Sequence, residues 1–463
     1  MASKSKYAPV SSLGIKSTPT RGSSLTTDLW LEEKRELDGA EGLWRIHDDL
    51  YDLTGFVERH PGGSEWLELT KGTDITEAFE VHHLSTLPVE MLGKFRAGKA
   101  KIPRNSPFTF HENGFYRTLK REIIPLLGEL PEQSVNNTNF MCDAMVAALL
   151  VLAILATVYW NFYLAILAGL VLGMLTIAAH NYVHMKDNFR MYYFQFSMLQ
   201  IRDWRISHAL SHHLLTNTIA DLEITMVEPL LLYLPGAKTL KERAISVLVS
   251  PVLWLFFFHI PLIRRLTTAY KHDYKNIKLT DTTGLILPLL MYCLGGQSVF
   301  GAFLMWNVIL MTGAFYMGFT GMNGAHHHPD IFHDGDTPRA KENYDWGLAQ
   351  LDSIMEHKEV TGHHFLVLVN FGEHCLHHLF PTVDHGVLEH LYPAFERVLR
   401  RFDENLRFVT KWETLSGNFR QLVRTEPNPK APELGKYDGR NDFIRGSGCL
   451  RRNSSGSGRA SAS

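Results

Sequence analysis

Two apolar runs, Phe140 to Trp160 with Asp143 as its one charge and Leu164 to Ala179 with none, are separated only by Asn161-Phe-Tyr163, and the second runs straight into His180. A run of about 20 apolar residues matches the hydrocarbon core of a bilayer. In lipid, a backbone can satisfy its own N–H and C=O groups only as a helix or a closed barrel. The pair therefore predicts a helical hairpin with a tiny turn on the far side, ending in a histidine on the side where it began. Three further apolar stretches follow, Ile245–Ile263, Gly284–Gly296 and Val299–Phe319. Lys241, Arg243, Arg264 and Arg265 flank the first of these, with Lys271, Lys275 and Lys278 beyond, whereas the break between the other two, Gly295-Gly-Gln-Ser298, is uncharged. Because positive charge stays on the cytoplasmic side, Ile245–Ile263 is expected to lie in the interface and the last two to form a second hairpin. The expected total is four spans, with Gly284–Gly296 the shortest.

Histidine is concentrated on the cytoplasmic ends of this arrangement, in His180-Asn-Tyr-Val-His184, His208-Ala-Leu-Ser-His212-His213 and His374-Cys-Leu-His377-His378. Neutral imidazole is the commonest metal ligand and suits iron, copper, nickel and zinc. Eight such ligands are twice what a four-coordinate zinc site takes, so the number suits two ions. On a helix of 3.6 residues per turn, His180 and His184 fall on one face, as do His208 and His212. His213 is turned about 100° away and free to reach a second ion. His374, His377 and His378 share a face. The four cysteines lie far apart, which argues against a disulfide scaffold or a thiolate site and fits a reducing cytosolic face. Cys375, inside the third cluster, reads as a packing residue. The formal net charge of −2 points to no nucleic-acid partner.

A soluble front of mixed charge precedes the spans. It contains Tyr51-Asp-Leu-Thr-Gly-Phe-Val-Glu-Arg-His60-Pro-Gly-Gly63, then Gly72-Thr-Asp74-Ile-Thr76-Glu-Ala-Phe79 and Val81-His82-His83. On these residues the front resembles the cytochrome b5 family, in which a second axial histidine follows the His-Pro-Gly-Gly turn by about 23 residues. The resemblance implies haem b between His60 and His83, with His82 the less favoured neighbour. Two axial imidazoles leave no open coordination position, so such a domain carries electrons.

The three clusters and their intervening spans resemble the membrane fatty acid desaturase and hydroxylase superfamily. The whole is similar to cytochrome b5-fused desaturases, in an arrangement close to an insect branch of cytochrome b5-related proteins. The implied fold is multidomain: a small α+β haem domain, then an all-α membrane bundle of about four helices with a cytosolic cap. The implied site holds two non-haem irons on His180, His184, His208, His212, His213, His374, His377 and His378. An Asn-x-x-x-His element adds His327 as a ninth ligand, with Asn323 a further candidate and His326 and His328 the less favoured neighbours. Asp334, Asp336 and Glu373 are candidates to orient the ligands, and His333, His363 and His364 read as surface or supporting residues. Two departures bear on specificity: the third cluster begins with His374 where fused relatives often have Gln, and His180 is followed by Asn181 where Asp is common.

Expected boundaries are a disordered tail over 1–28, the haem domain over 29–100, a connector over 101–139, the desaturase-like part over 140–443 and a second disordered tail over 444–463. The resemblance implies oxygen-dependent desaturation of a fatty acyl chain in the endoplasmic reticulum membrane, with both termini cytosolic. A lipid or acyl-CoA is the implied substrate, and an NADH-dependent cytochrome b5 reductase is the implied electron source. Acyl or sphingolipid hydroxylation uses the same ligands. A non-enzymatic haem carrier with an inactive desaturase fold is the rival from another class, disfavoured by the eight intact histidines.

Overall fold

The computed structural model describes residues 10–17, 26–263, 266, 278–340 and 344–432. The haem-domain region begins with a helix, Thr27–Leu37, capped by the Thr26 hydroxyl. A three-stranded antiparallel sheet follows, in which Trp44–Ile46 pairs with Asp49–Tyr51 and the latter with Arg96–Lys99. Trp44 is fully buried and packs with Ile46, Tyr51, Leu53, Leu67 and Ile75. Its indole N–H donates to the Leu67 carbonyl at 3.0 Å, tying the sheet to the short helix Ser64–Thr70.

Among the described residues, three helices are long and apolar enough to cross a membrane: Glu132–Val158, Phe162–Val183 and Val299–Met322. The first begins earlier than the apolar run, because the polar residues 132–139 extend the same helix. The Asn161 side chain starts the second by accepting from the N–H groups of Tyr163 and Leu164. The second and third of these helices cross at glycines. A Cβ on Gly169 would meet the Ile309 carbonyl at 2.7 Å, and one on Gly173 would meet the Gly313 carbonyl at 2.9 Å. Small residues four apart let two membrane helices approach at backbone distance, where packing rather than hydrophobicity holds them.

The expected fourth span is shorter than the other three. It consists of a 3₁₀ turn, Leu279–Leu285, leading into a ten-residue helix, Ile286–Gly295. Pro288 and the adjacent Gly295-Gly296 pair limit its length, and Gly296 ends it in a left-handed conformation at φ 65°. The basic residues 264, 265, 271 and 275 lie outside the described residues. Leu240–Leu255, which contains most of the expected interfacial stretch, is a helix with a complete capping box at Thr239 and Glu242. It lies on the last span at Gly318, where a Cβ would meet Trp254 Cα at 2.7 Å.

The cap and the haem domain share one apolar core. Leu69 and Val81 join Phe115, Tyr116, Ile206, Leu210, Trp346, Leu376, Phe380 and Phe395 in it. The Tyr116 hydroxyl lies 3.4 Å from the Glu80 carbonyl and 3.3 Å from that of Leu379, bridging the two parts. Residues 101–139 are thus largely built into the cap, with Phe115–Leu127 a helix inside its core. The expected tail over 1–28 also departs from its reading. Ile15 is buried, and the Ser12 N–H donates to Asp334 at 2.8 Å. The expected tail over 444–463 lies outside the described residues.

Candidate metal and haem sites

His60 ends a 3₁₀ turn, Thr54–Arg59, and His83 caps the helix Thr76–His82. Their ring centroids are 6.1 Å apart. That is close to the span of two imidazoles on one iron at metal–nitrogen bonds of ~2 Å. Each Nδ1 lies 2.9 Å from a backbone carbonyl, Gly63 for His60 and Phe79 for His83. Donation there leaves each Nε2 as a lone pair, as an axial ligand requires. Gly63 sits at φ 110°, a conformation open to glycine. His82 packs on Trp66 at 5.6 Å instead of facing His60. Accordingly, His83→Ala is expected to abolish the low-spin haem spectrum of the purified protein, and His82→Ala to keep most of it. Reversed spectra would move the axial ligand to His82.

The clusters meet where the second span ends. His180 is in its last turn and His184 is its C-cap. The second cluster occupies a π-helix, Arg205–His212, with the His213 N–H donating to the His208 carbonyl at 2.9 Å. The wider turn corrects the 100° expectation, since it brings residues five apart onto one side. His213 Nε2 therefore lies 3.0 Å from His208 Nε2, while the His212 ring lies stacked 5.4 Å from that of His208. The third cluster is a six-residue helix, His374–Leu379, and it is likewise divided.

Two all-histidine groups result, with a third set overlapping both. His180, His184, His208, His213 and His377 form one, His212, His326 and His378 the other, and His208, His212 and Glu223 the overlapping set, with ligand atoms in each within 4.8 Å of one another. His180 Nε2 lies 2.8 Å from His208 Nε2, 2.9 Å from His184 Nε2 and 3.2 Å from His377 Nε2. His374 belongs with the second group through a 2.6 Å approach of its Nε2 to that of His326. The parallel rings of His213 and His378, 3.9 Å apart, join the groups.

The residues fit metal ions for a reason independent of their number. His208 Nδ1 donates to Glu223 at 2.6 Å, and His212 Nδ1 to fully buried Asp221 at 2.9 Å. His378 Nδ1 donates to Gln350 Oε1 at 3.0 Å, and His326 Nδ1 to the Ser353 carbonyl at 3.1 Å. A neutral imidazole has one N–H, so His208, His378 and His326 turn bare Nε2 lone pairs inward. At His212 burial, which lowers the pKa, is outweighed by the carboxylates of Glu223 and Asp221, which raise it to about 9. Burial first, and neighbouring imidazoles second, hold His213, His374, His377 and His378 well below the ordinary histidine pKa. Converging neutral lone pairs repel without a cation between them, and carboxylate-oriented histidines are the usual supports of such an ion.

Several expectations change here. His326, not His327, turns into the second group, and His327 instead stacks on Tyr233 at 3.9 Å. Asn323 Nδ2 donates to the Phe319 carbonyl at 2.7 Å, and its Oδ1 has no hydrogen bond among the described residues. The expected orienting acids serve elsewhere: Asp334 holds Ser12 and the Ile219 N–H, Asp336 holds Arg424, and Glu373 accepts from the Gly362 N–H. Glu223, Asp221, Gln350 and His385 take that role, the last with its Nε2 3.0 Å from His377 Nδ1. Asp221 and Glu223 follow His212 by 9 and 11 residues, a carboxylate pair just beyond the cluster that could have been singled out. His333 is fully buried rather than superficial. Cys375 is buried, its N–H donating to Glu356 at 2.7 Å.

The sequence has counterparts among known proteins. Residues 31–101 match the cytochrome b5-like heme/steroid binding domain, and residues 157–410 match the fatty acid desaturase family. The chain belongs to the fatty acid desaturase family, with a fused cytochrome b5-like domain. It is 40% identical to a cytochrome b5-related protein of Drosophila melanogaster, over 92% of this chain and 98% of that protein. The Delta(5) fatty acid desaturase A of Dictyostelium discoideum is 23% identical, over 85% of this chain and 93% of its own. A probable Delta(5) fatty acid desaturase C from the same organism is 28% identical over 41% of this chain and 45% of its own.

Proposed function

We propose that this chain introduces a double bond into a fatty acyl chain at a pair of non-haem irons, with electrons from its own haem. The carrying observation is the convergence of the box histidines, with their Nδ1 atoms anchored and their Nε2 atoms bare. In this reading His180, His184, His208, His213 and His377 hold one iron, and His212, His326, His374 and His378 the other. Asn323, whose buried Oδ1 has no hydrogen bond among the described residues, stays a candidate for a further ligand. When bound, the irons supply reduction of dioxygen with removal of two hydrogens from adjacent methylenes, giving an alkene and two waters for two electrons and two protons. Glu223, Asp221, Gln350 and His385 keep the imidazoles in one tautomer and one orientation, which fixes the site before substrate arrives.

The two Dictyostelium relatives named as Delta(5) fatty acid desaturases support an acyl substrate. The substrate is a lipid or acyl-CoA entering from the bilayer, the membrane is that of the endoplasmic reticulum, and both termini are cytosolic. An NADH-dependent cytochrome b5 reductase reduces the haem.

Expression in a host lacking related desaturases, followed by lipid profiling, tests the reading. A new unsaturated acyl chain that requires oxygen and NADH is expected, and a hydroxylated product would replace this reading with hydroxylation. His60→Ala should cut product formation, with added free cytochrome b5 restoring part of it. Unchanged turnover in a host without its own cytochrome b5 would refute the internal electron supply.

A further inference from the structure

The turn that carries the first haem ligand lies directly on the end of the first histidine box. A Cβ on Gly63 would meet the Asp187 carboxylate at 2.6 Å, and the Asp187 N–H donates to the Gly62 carbonyl at 3.4 Å. Asp187 is three residues past His184. On the other side of the contact is Arg205, three residues before His208 and 1% exposed. One of its terminal nitrogens donates to Glu65 at 3.0 Å and the other to Asp187 at 2.6 Å. Its guanidinium lies 4.6 Å over the Trp66 ring. Lys278 adds a second cation to Glu65 at 2.9 Å.

Trp66 in turn packs on His82, the chain neighbour of His83, and the enclosed Nε2 of His82 has no partner among the described residues. A buried guanidinium is tolerated only where its fork is matched by carboxylates. Here one carboxylate comes from the haem domain and one from the desaturase part. The match exists only when the two are docked.

Resting on the function proposed above, we propose that Arg205 is the positioning residue that locks the haem domain against the second histidine box, and that Trp66 and His82 are the packed groups through which the electron leaves the haem. In each transfer ferrous haem becomes ferric and the ferric non-haem site gains that electron. Two transfers serve one acyl chain.

The test uses the full-length, detergent-solubilised holoprotein and two measurements. The first is a zero-length carbodiimide cross-link between Lys278 and Glu65, mapped by peptide mass spectrometry, which reads docking without reference to activity. The second is the rate at which pre-reduced haem is reoxidised when oxygen is admitted. The cross-link is expected in the unaltered protein and lost in Arg205→Ala, whose haem spectrum and non-haem iron content are retained. Haem reoxidation in that variant should slow on the order of tenfold, the factor corresponding to about 1.4 kcal/mol of lost docking.

Asp187→Ala, a change at a half-exposed side chain, should shift both measurements in the same direction if Arg205→Ala fails to fold. Trp66→Leu should keep the cross-link and slow reoxidation. No cross-link in the unaltered protein, or an Arg205→Ala protein that keeps both cross-link and rate, overturns the docking. Unchanged reoxidation in Trp66→Leu overturns the route. If the unaltered protein reoxidises its haem no faster with non-haem iron than without, the proposed function fails, while the cross-link still decides the docking.

Discussion

His213→Ala and His377→Ala are each expected to lower non-haem iron and bring acyl-chain turnover to background while leaving the haem spectrum unchanged. Both residues join separate parts of the site. His213 Nε2 is 3.0 Å from His208 Nε2, and its ring stacks on His378 of the second group. His377 reaches across to His180 at 3.2 Å, with its far nitrogen held by His385. Losing a support behind a ligand costs about 10–100-fold in metal affinity, so losing the ligand itself should cost at least that. The haem is spared because His60 and His83 lie across from each other outside the clustered box histidines. Metal analysis of the purified membrane protein, read beside its optical spectrum, decides the matter. Full iron content in either variant would remove that residue from the site, and stoichiometric zinc in the native protein would end the redox reading, since zinc has no redox chemistry.

What could be read ahead of the structure follows from which signals are local. The His60 to His83 spacing and the Gly62-Gly63 turn are short-range, and the structure sets those two rings across from each other, with centroids 6.1 Å apart and planes nearly perpendicular. The apolar runs ending at His180 and His184 are set by bilayer thickness, and that helix ends at the histidines. The division of ligands between two groups was less legible, because it depends on the π-helical turn at Arg205–His212. A strict 3.6-residue period put His208 with His212 and turned His213 away. The orienting groups could not be placed by spacing alone, since Gln350 meets His378 from another helix and His385 meets His377 from the turn after the third box. Likewise, nothing in a tail rich in Ser and Thr announced that Ser12 would bond to Asp334, a residue 322 positions away.

His326→Phe should abolish turnover and lower non-haem iron, whereas His327→Phe should keep both. The two are adjacent and equally buried, so the direction of the ring is what distinguishes them. His326 is turned toward the ligands by the Ser353 carbonyl at its Nδ1, bringing its Nε2 to 2.6 Å from that of His374. His327 is turned the opposite way and lies flat on Tyr233, with an interplanar angle of 21°. Phenylalanine preserves a flat ring, so at 327 the stack survives and is worth about the 0.5–1.5 kcal/mol of an aromatic pair. At 326 the same ring has no lone pair to give, and the second group loses one of its nitrogens. A thermal midpoint near that of the parent protein for His327→Phe, together with retained iron, is the expected pattern. If His327→Phe lost its iron and His326→Phe retained it, the ninth nitrogen would belong to the Asn323-x-x-x-His327 spacing rather than to the turn that the Ser353 carbonyl holds in place.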